Sequence, residues 1–463
     1  MSRAVARSNG DISFWYAGTG EPTRRPPLDG DRSADVCIVG GGFTGLWAAY
    51  YLKKERPELD IVIIEREFCG FGASGRNGGW LSARFATPRA DLVASHGEAA
   101  ARAHERAMKE TVDEVIAVCR AESIDADIVQ SGVLVVARGS VQAERLSGHL
   151  AVEREWGVGP EDLVALDGDA LKARIRVTRA VCGAWNRQGA RVHPAKLVQG
   201  LAAVVEQMGV TIYESTAVHR LSSGVATSDR GTVKAPIVLR CTEGFTASLA
   251  GQRRKLLPLN SAMVVTAPLP PDVWAELGWQ GEQLLGDVAH AYMYAQRTAD
   301  GRIAFGGRGV PYRFGSRVDR RGQTQDATIR QLGRLMHEFF PATAGIPIDH
   351  AWCGVLGVAR DWASSASFDR ASGLGAAGGY VGNGVGTANL AGRTLRDMVL
   401  GRDTMLTRLP WVNHQARGWE PEPLRWVGAR LVYWLYRAAD RRELRSGKGP
   451  SVLAKVAGQV SGR

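Results

Sequence analysis

Residues 36–65 read VCIVGGGFTGLWAAYYLKKERPELDIVIIE, and this stretch decides the fold. Val36 to Val39 form an apolar run of the kind buried on both faces of a parallel sheet, Phe43 to Lys54 read as a helix, and Ile61 to Ile64 as a second buried strand. The three pieces make one βαβ unit. At its turn stand Gly40, Gly41, Gly42, Phe43, Thr44 and Gly45, a GxGxxG placed directly after a strand and opening a helix. Gly40 allows the tight turn, Gly42 lets the backbone approach a pyrophosphate, and Gly45 lets helix and strand pack closely. The helix N-terminus adds oriented N–H groups and positive potential. Glu65 follows 65 − 40 = 25 positions later, where a carboxylate accepts hydrogen bonds from ribose hydroxyls and repels a 2′-phosphate, which disfavours NADP.

Working outward, two further glycine-rich stretches point to the same ligand edge. Gly72, Ala73, Ser74, Gly75, Arg76, Asn77, Gly78 and Gly79 combine small residues with one hydroxyl, one guanidinium and one amide, a set suited to phosphate or ring oxygens at close range. Gly378 to Gly386 again precede a helix, whose N-terminus stabilises negative charge on a cofactor ring. A long dinucleotide explains all three. Arg66, Thr242, Asn383, Val385 and Gly386, beside Phe43 and Thr44, complete the expected contact set.

The chain of 463 residues predicts roughly two to four structural units. Its 58 Lys and Arg against 47 Asp and Glu give a net charge of +11, spread along the chain without a basic and aromatic block. An anionic substrate or cofactor therefore suits the charge better than nucleic acid. Six cysteines lie far apart with no CxxC, and the nine histidines are scattered without HExxH, so neither a disulfide framework nor a metal site is expected. With no signal-peptide pattern and no apolar run of ~18 residues, the expectation is a cytoplasmic protein.

Residues 17–34 read as an extended arm, with Phe14, Trp15 and Tyr16 docked on the body. A long helical pattern at 93–120, a strand at 131–138, a helix from His193 to Gln207 with Pro at its first position, and strand-like pieces with a helical cover between 260 and 350 follow. The fold expected is α/β plus α+β. A discontinuous Rossmann-type dinucleotide domain (30–92, 186–259 and 351–405) joins a mixed-sheet substrate domain (93–185 and 260–350), with an N-terminal arm (1–29) and a C-terminal appendage (406–463). In that appendage an aromatic and basic helix is expected to pack on the body or a sister subunit rather than on a membrane.

In order and spacing these stretches, with RVHPAKLVQGL, DGRIAFGGRG and WEPEPLR, resemble the D-amino acid oxidase-like (DAO) FAD-dependent oxidoreductases over roughly residues 12–425, and are similar in particular to the branch holding γ-glutamylputrescine oxidase and aminophosphonate oxidoreductases. The resemblance implies noncovalent FAD, with Gly40, Gly42 and Gly45 at its pyrophosphate and Glu65 at its ribose. Ser74, Arg76, Asn77 and Gly78 would lie along the ribityl and flavin, and Gly382 and Gly384 beneath the pyrimidine edge. It also implies hydride transfer from a carbon next to nitrogen to flavin N5, giving an imine that water hydrolyses, with O2 or another acceptor taking the electrons. Tyr292, Tyr294, Arg297, Arg308 and Tyr380 are the candidate substrate-side residues: an Arg for an anionic group, a Tyr to cover the amine. A flavin dehydrogenase of a hydroxy compound and a noncatalytic flavin-binding protein are the alternatives.

Overall fold

Val36 and Ile38 face one side of a six-stranded sheet and Cys37 and Val39 the other, as the period of two requires, and all four are buried. The computed structural model describes residues 5–307, 312–318 and 321–461. The strands run in the order Thr211–Tyr213, Ile61–Ile64, Val36–Val39, Ile237–Arg240, Leu374–Gly378, Ser365–Asp369. All pairings are parallel except the last, which is antiparallel. Burial on both faces explains why the central strands Val36–Val39 and Ile61–Ile64 read as continuous apolar runs. One face packs on helices Phe43–Glu55, Glu98–Ala121, Pro194–Gln207 and Gly384–Val399; the other is covered by the hairpin strands Val218–Ser222, Val225–Ser228 and Thr232–Lys234. The helix Phe43–Glu55 is buried almost all round, which is why it lacks a polar face.

A second, nine-stranded mixed sheet carries the rest. Its centre pairs Leu257–Thr266 antiparallel with Ile348–Val358 on one side and with Ile303–Gly307 on the other, which in turn pairs with Met293–Arg297. Leu284–Asp287 adds Val133–Arg138 in parallel, so residues far apart in sequence share one sheet. Helix Asp326–Phe339 lays Ile329, Leu332, Met336 and Phe339 on its face, the helical cover that the 260–350 pattern predicts.

Three placements differ from the sequence reading. Helix Glu98–Ala121, assigned there to the substrate unit, buries Met108, Val112, Val115 and Cys119 in the dinucleotide-side core, because its apolar stripe has the Phe43–Glu55 helix to pack against. Strand Ile348–Val358 belongs whole to the nine-stranded sheet, although the boundary expected at 351 splits it. Finally, residues 17–19, read as the start of the extended arm, close the short helix Phe14–Thr19; Trp15 and Tyr16 are buried on the body as expected, and the Ser13 hydroxyl and Trp15 Nε1 donate to the carbonyls of Gly75 and Asn77.

Candidate active site

The three glycine stretches meet along one cleft of about 1100 Å³, its open mouth included, at the C-terminal ends of the parallel strands. At its floor Gly40 has φ +112°, and a Cβ there would lie 2.4 Å from the Cys241 carbonyl oxygen. A Cβ on Gly45 would lie 2.1 Å from the Gly40 oxygen, so both positions require glycine. Gly42 opens the helix, and its missing Cβ would stand 2.9 Å from Ser74 Oγ. That hydroxyl accepts the Phe43 N–H at 2.9 Å, which folds the second glycine stretch over the first. Thr44 Oγ1 lies 2.9 Å from the Tyr380 hydroxyl, tying the second helix start to the first.

Glu65 lines the cleft and accepts the N–H groups of Gly41 (2.8 Å) and Glu67 (2.9 Å). Each carboxylate oxygen keeps a lone pair for a ribose hydroxyl. Burial raises its pKa against those two donors and Arg66, whose guanidinium also covers the Phe245 ring. Gly72, Ala73, Ser74 and Asn77 line the same cleft, as do Thr242, Gly382, Gly384 and Val385. The Asn77 side chain is spent on its own loop, donating to the Ala73 and Ser74 carbonyls and accepting from Gly79 N. Asn383 is the N-cap of the third-stretch helix, and Gly386 sits inside it against the Ser82 carbonyl; neither lines the cleft.

Several expected contacts lie elsewhere. Arg76 is buried with its guanidinium 4.3 Å from the centroid of Phe71, donating to the Cys353 carbonyl at 3.5 Å, and burial pushes its pKa down to about 10. It braces the glycine loop from behind rather than lining the cleft. Gly78 and Gly79 pack on Tyr294 and Gln296, outside the cleft, with Gln296 Nε2 donating to the Gly78 carbonyl at 2.6 Å. Tyr380 faces Thr44 at the glycine turn and not the substrate side, because its strand end meets the helix start there. Arg297 is removed from both cavities: its guanidinium lies 4.2 Å from the Trp274 ring and donates to the Trp279 carbonyl. Arg308 lies outside the described residues.

Leu356 lines both this cleft and a second, smaller cavity, about 490 Å³ with the open space at its mouth included, lined by Leu259, Asn260, Ser261, Tyr292, Tyr294, Val381 and Tyr433 among others. Tyr294 is held by Ser261 Oγ at 3.0 Å, and burial pushes its phenol up to about 12, so it stays neutral. Asn260 is 7% exposed, and neither amide atom has a hydrogen-bond partner among the described residues. A buried amide left this way costs about 1–3 kcal/mol unless a ligand meets it. The described side chains around this cavity carry no Asp, Glu, Lys, Arg or His.

Sequence reasoning missed Asn260, Leu356 and Tyr433, and on the cleft side Thr216, Val218, Phe245 and Glu243. Glu243 accepts N–H groups from Gly357, Gly379 and Tyr380, linking the nine-stranded sheet to the third glycine stretch. Its pKa is pushed up to about 7, burial outweighing those three donors. The native protein therefore holds a proton that the unfolded chain releases near pH 4.5, so stability falls as pH rises from about 4.5 through 7. Asp287, also raised to about 7 by burial, acts in the same direction. Thermal melts of flavin-free protein across pH 5–8 should show this slope, and Glu243→Gln should flatten part of it; a slope unchanged in the variant would remove Glu243 as its source.

The glycine cradle, closed by backbone where a Cβ would collide, fits the dinucleotide. The family model described as FAD dependent oxidoreductase (DAO) matches residues 35–398. The chain belongs to the DAO family of FAD-dependent oxidoreductases and binds FAD. Among its relatives, the gamma-glutamylputrescine oxidoreductase of Escherichia coli K12 is 27% identical over 84% of this chain and 89% of its own length. The probable oxidoreductase OrdL of Rhizobium meliloti 1021 is 28% identical over 85% and 90%. Glycine oxidase from Geobacillus kaustophilus shares the fold, with a TM-score of 0.68 at 21% identity over 83% of this chain and 99% of that one.

Proposed function

We propose that this enzyme oxidises a C–N bond of an amine or amino acid in the smaller cavity, using noncovalent FAD. The observation that carries the reading is the orphaned Asn260 amide in an aromatic cavity that shares Leu356 with the FAD cleft and whose described lining carries no charged side chain. When held by the glycine turn 40–45 and Glu65, FAD would supply the hydride acceptor for the carbon next to nitrogen, and water would hydrolyse the released imine. The protein's part is positioning. Asn260 Oδ1 accepts an amine N–H, or its Nδ2 donates to a substrate carboxylate; Tyr292, Tyr294 and Tyr433 cover the reacting carbon and exclude water. An uncharged cavity favours the neutral amine, whose nitrogen lone pair assists hydride departure, over the ammonium form. Arg308, which follows Gly307 in the sequence and lies outside the described residues, is the proposed partner for an anionic substrate group.

Cys353 donates its thiol to the Gln323 carbonyl at 3.3 Å, a structural role that supports a flavin held without a covalent link. All six cysteines are free thiols, the state expected of a cytoplasmic protein. Anaerobic addition of amino acids, polyamine derivatives and aminophosphonates to the yellow protein tests the reading: bleaching by one amine class is expected, and rapid return of colour in air would mark an oxidase. Bleaching by alcohols alone would overturn it. Tyr380→Phe, which removes only the bond to Thr44, should leave the bleaching rate within about threefold and lower stability by about 1 kcal/mol. A loss of turnover above tenfold would instead place Tyr380 at the reacting centre.

A further inference from the structure

The C-terminal helix Leu424–Ser446 divides its residues by charge as well as by polarity. Val432, Leu435 and Tyr436 pack inward with Leu453 and Ala457 of the following helix, Val452–Ser461. On the outer face Leu424, Val427, Leu431 and Trp434 recur at i, i+3, i+7 and i+10, and they are 63, 52, 44 and 61% exposed. The second helix repeats the pattern with Val452, Val456 and Val460, all exposed. Such a row of large apolar side chains on a surface marks a contact with something else.

The surrounding charge selects what that is. Between residues 424 and 461 the acidic side chains are Asp440 and Glu443 alone, and both turn inward. Asp440 accepts the N–H groups of His290 and Ala291 at 2.8 Å, and Glu443 accepts from Arg145, His290 and Ser451 N. Apart from buried Arg425, paired with Glu422, and half-buried Arg437, the cations turn outward: Arg430, Arg441, Arg442, Arg445, Lys448 and Lys455 are exposed, and none of these six has a carboxylate partner among the described residues. At 100° per residue Arg441 and Arg445 continue the Trp434 row, while Arg430 flanks it. No described helix is long and apolar enough to cross a bilayer, so the contact is with a surface. A second copy of the chain would bring two sets of unpaired arginines together; a bilayer with anionic headgroups neutralises them and takes up the apolar row. We infer that the enzyme docks on anionic lipid surfaces through the outer face of residues 424–460. Packing of this helix on the body, expected from the sequence, accounts only for its inner face. Tyr433, one residue from Trp434, lines the substrate-side cavity, so the docked face lies directly behind a wall of the site.

Sedimentation of the full flavin-loaded protein with vesicles tests this. Phosphatidylcholine vesicles containing phosphatidylglycerol should retain the protein at least tenfold better than phosphatidylcholine alone, and added salt should release it. The paired variants Leu431→Ser with Trp434→Ser and Arg441→Glu with Arg445→Glu should each lose at least tenfold of this binding. Their melting temperature should stay close to the parent's and their flavin content should match it, because these side chains are exposed and belong to none of the buried clusters. Equal binding to both vesicle types, or undiminished binding by both variants, would overturn the inference. So would a dimer, seen by light scattering without lipid, that the Leu431→Ser with Trp434→Ser variant dissociates, since a second copy would then cover the row.

Discussion

Gly42→Val protein is expected to purify folded and colourless. A Cβ on Gly42 already lies 2.9 Å from Ser74 Oγ, and valine adds two methyls that point either into that hydroxyl or into the cleft. The Ser74 hydroxyl is anchored by the Phe43 N–H, so it yields only by releasing the first turn of the helix. That turn supplies the N–H groups and the positive end that meet the pyrophosphate. Losing two or more charge-assisted contacts, at about 1.5–3 kcal/mol each, raises the FAD dissociation constant at least about 100-fold. Beyond that first turn the core is untouched, so the flavin-free variant should stay folded, with a melting temperature at most about a few degrees below that of flavin-free parent. Gly42→Ala brings a single methyl against a hydroxyl that can shift slightly, and should hold flavin with intermediate affinity. Visible absorbance per mole of protein reads the outcome, and a stoichiometric yellow Gly42→Val variant would sink the assignment of this turn.

Asn260→Leu should move stability and catalysis in opposite directions. The amide is 7% exposed and unpartnered, so replacing it by an apolar group of similar volume relieves an uncompensated desolvation. Flavin content should stay the same, since Asn260 does not line the dinucleotide cleft. The variant loses the proposed polar contact to substrate, and kcat/KM for the amine that bleaches the flavin should fall about 10- to 100-fold, the kinetic equivalent of one buried hydrogen bond. A side chain with only a packing role would show the stability gain without the kinetic loss, and unchanged kcat/KM would remove Asn260 from the site.

The opposite-sign result depends on where Asn260 sits, and nothing local in Leu-Pro-Leu-Asn-Ser-Ala-Met marks it. By contrast the glycine turn at 40–45 was legible because strand, turn and helix are adjacent in sequence and each has its own signal: an apolar run, a GxGxxG, a helical pattern. His193 and Pro194 likewise mark their helix start locally, with His193 Nδ1 accepting the Lys196 N–H at 3.2 Å. The arginines show where such signals stop. Arg76 and Arg297 have the chemistry of anion binders, yet each lies over an aromatic ring and donates to a backbone carbonyl. A guanidinium serves a carboxylate or a buried aromatic equally well, and composition cannot choose between them.

By itself, then, the sequence determined the nucleotide-binding βαβ unit, whose signals lie between near neighbours in the chain, and, through the order and spacing of the three glycine stretches, the DAO family. Tertiary structure alone decided that strands 257–266, 293–297 and 348–358 meet to enclose a cavity against Tyr433 of the last long helix, leaving one amide without a partner. It also decided which face of that helix is buried, because a stripe of apolar residues shows where a helix can bury surface, and only the neighbours that arrive from elsewhere in the chain settle which stripe is covered.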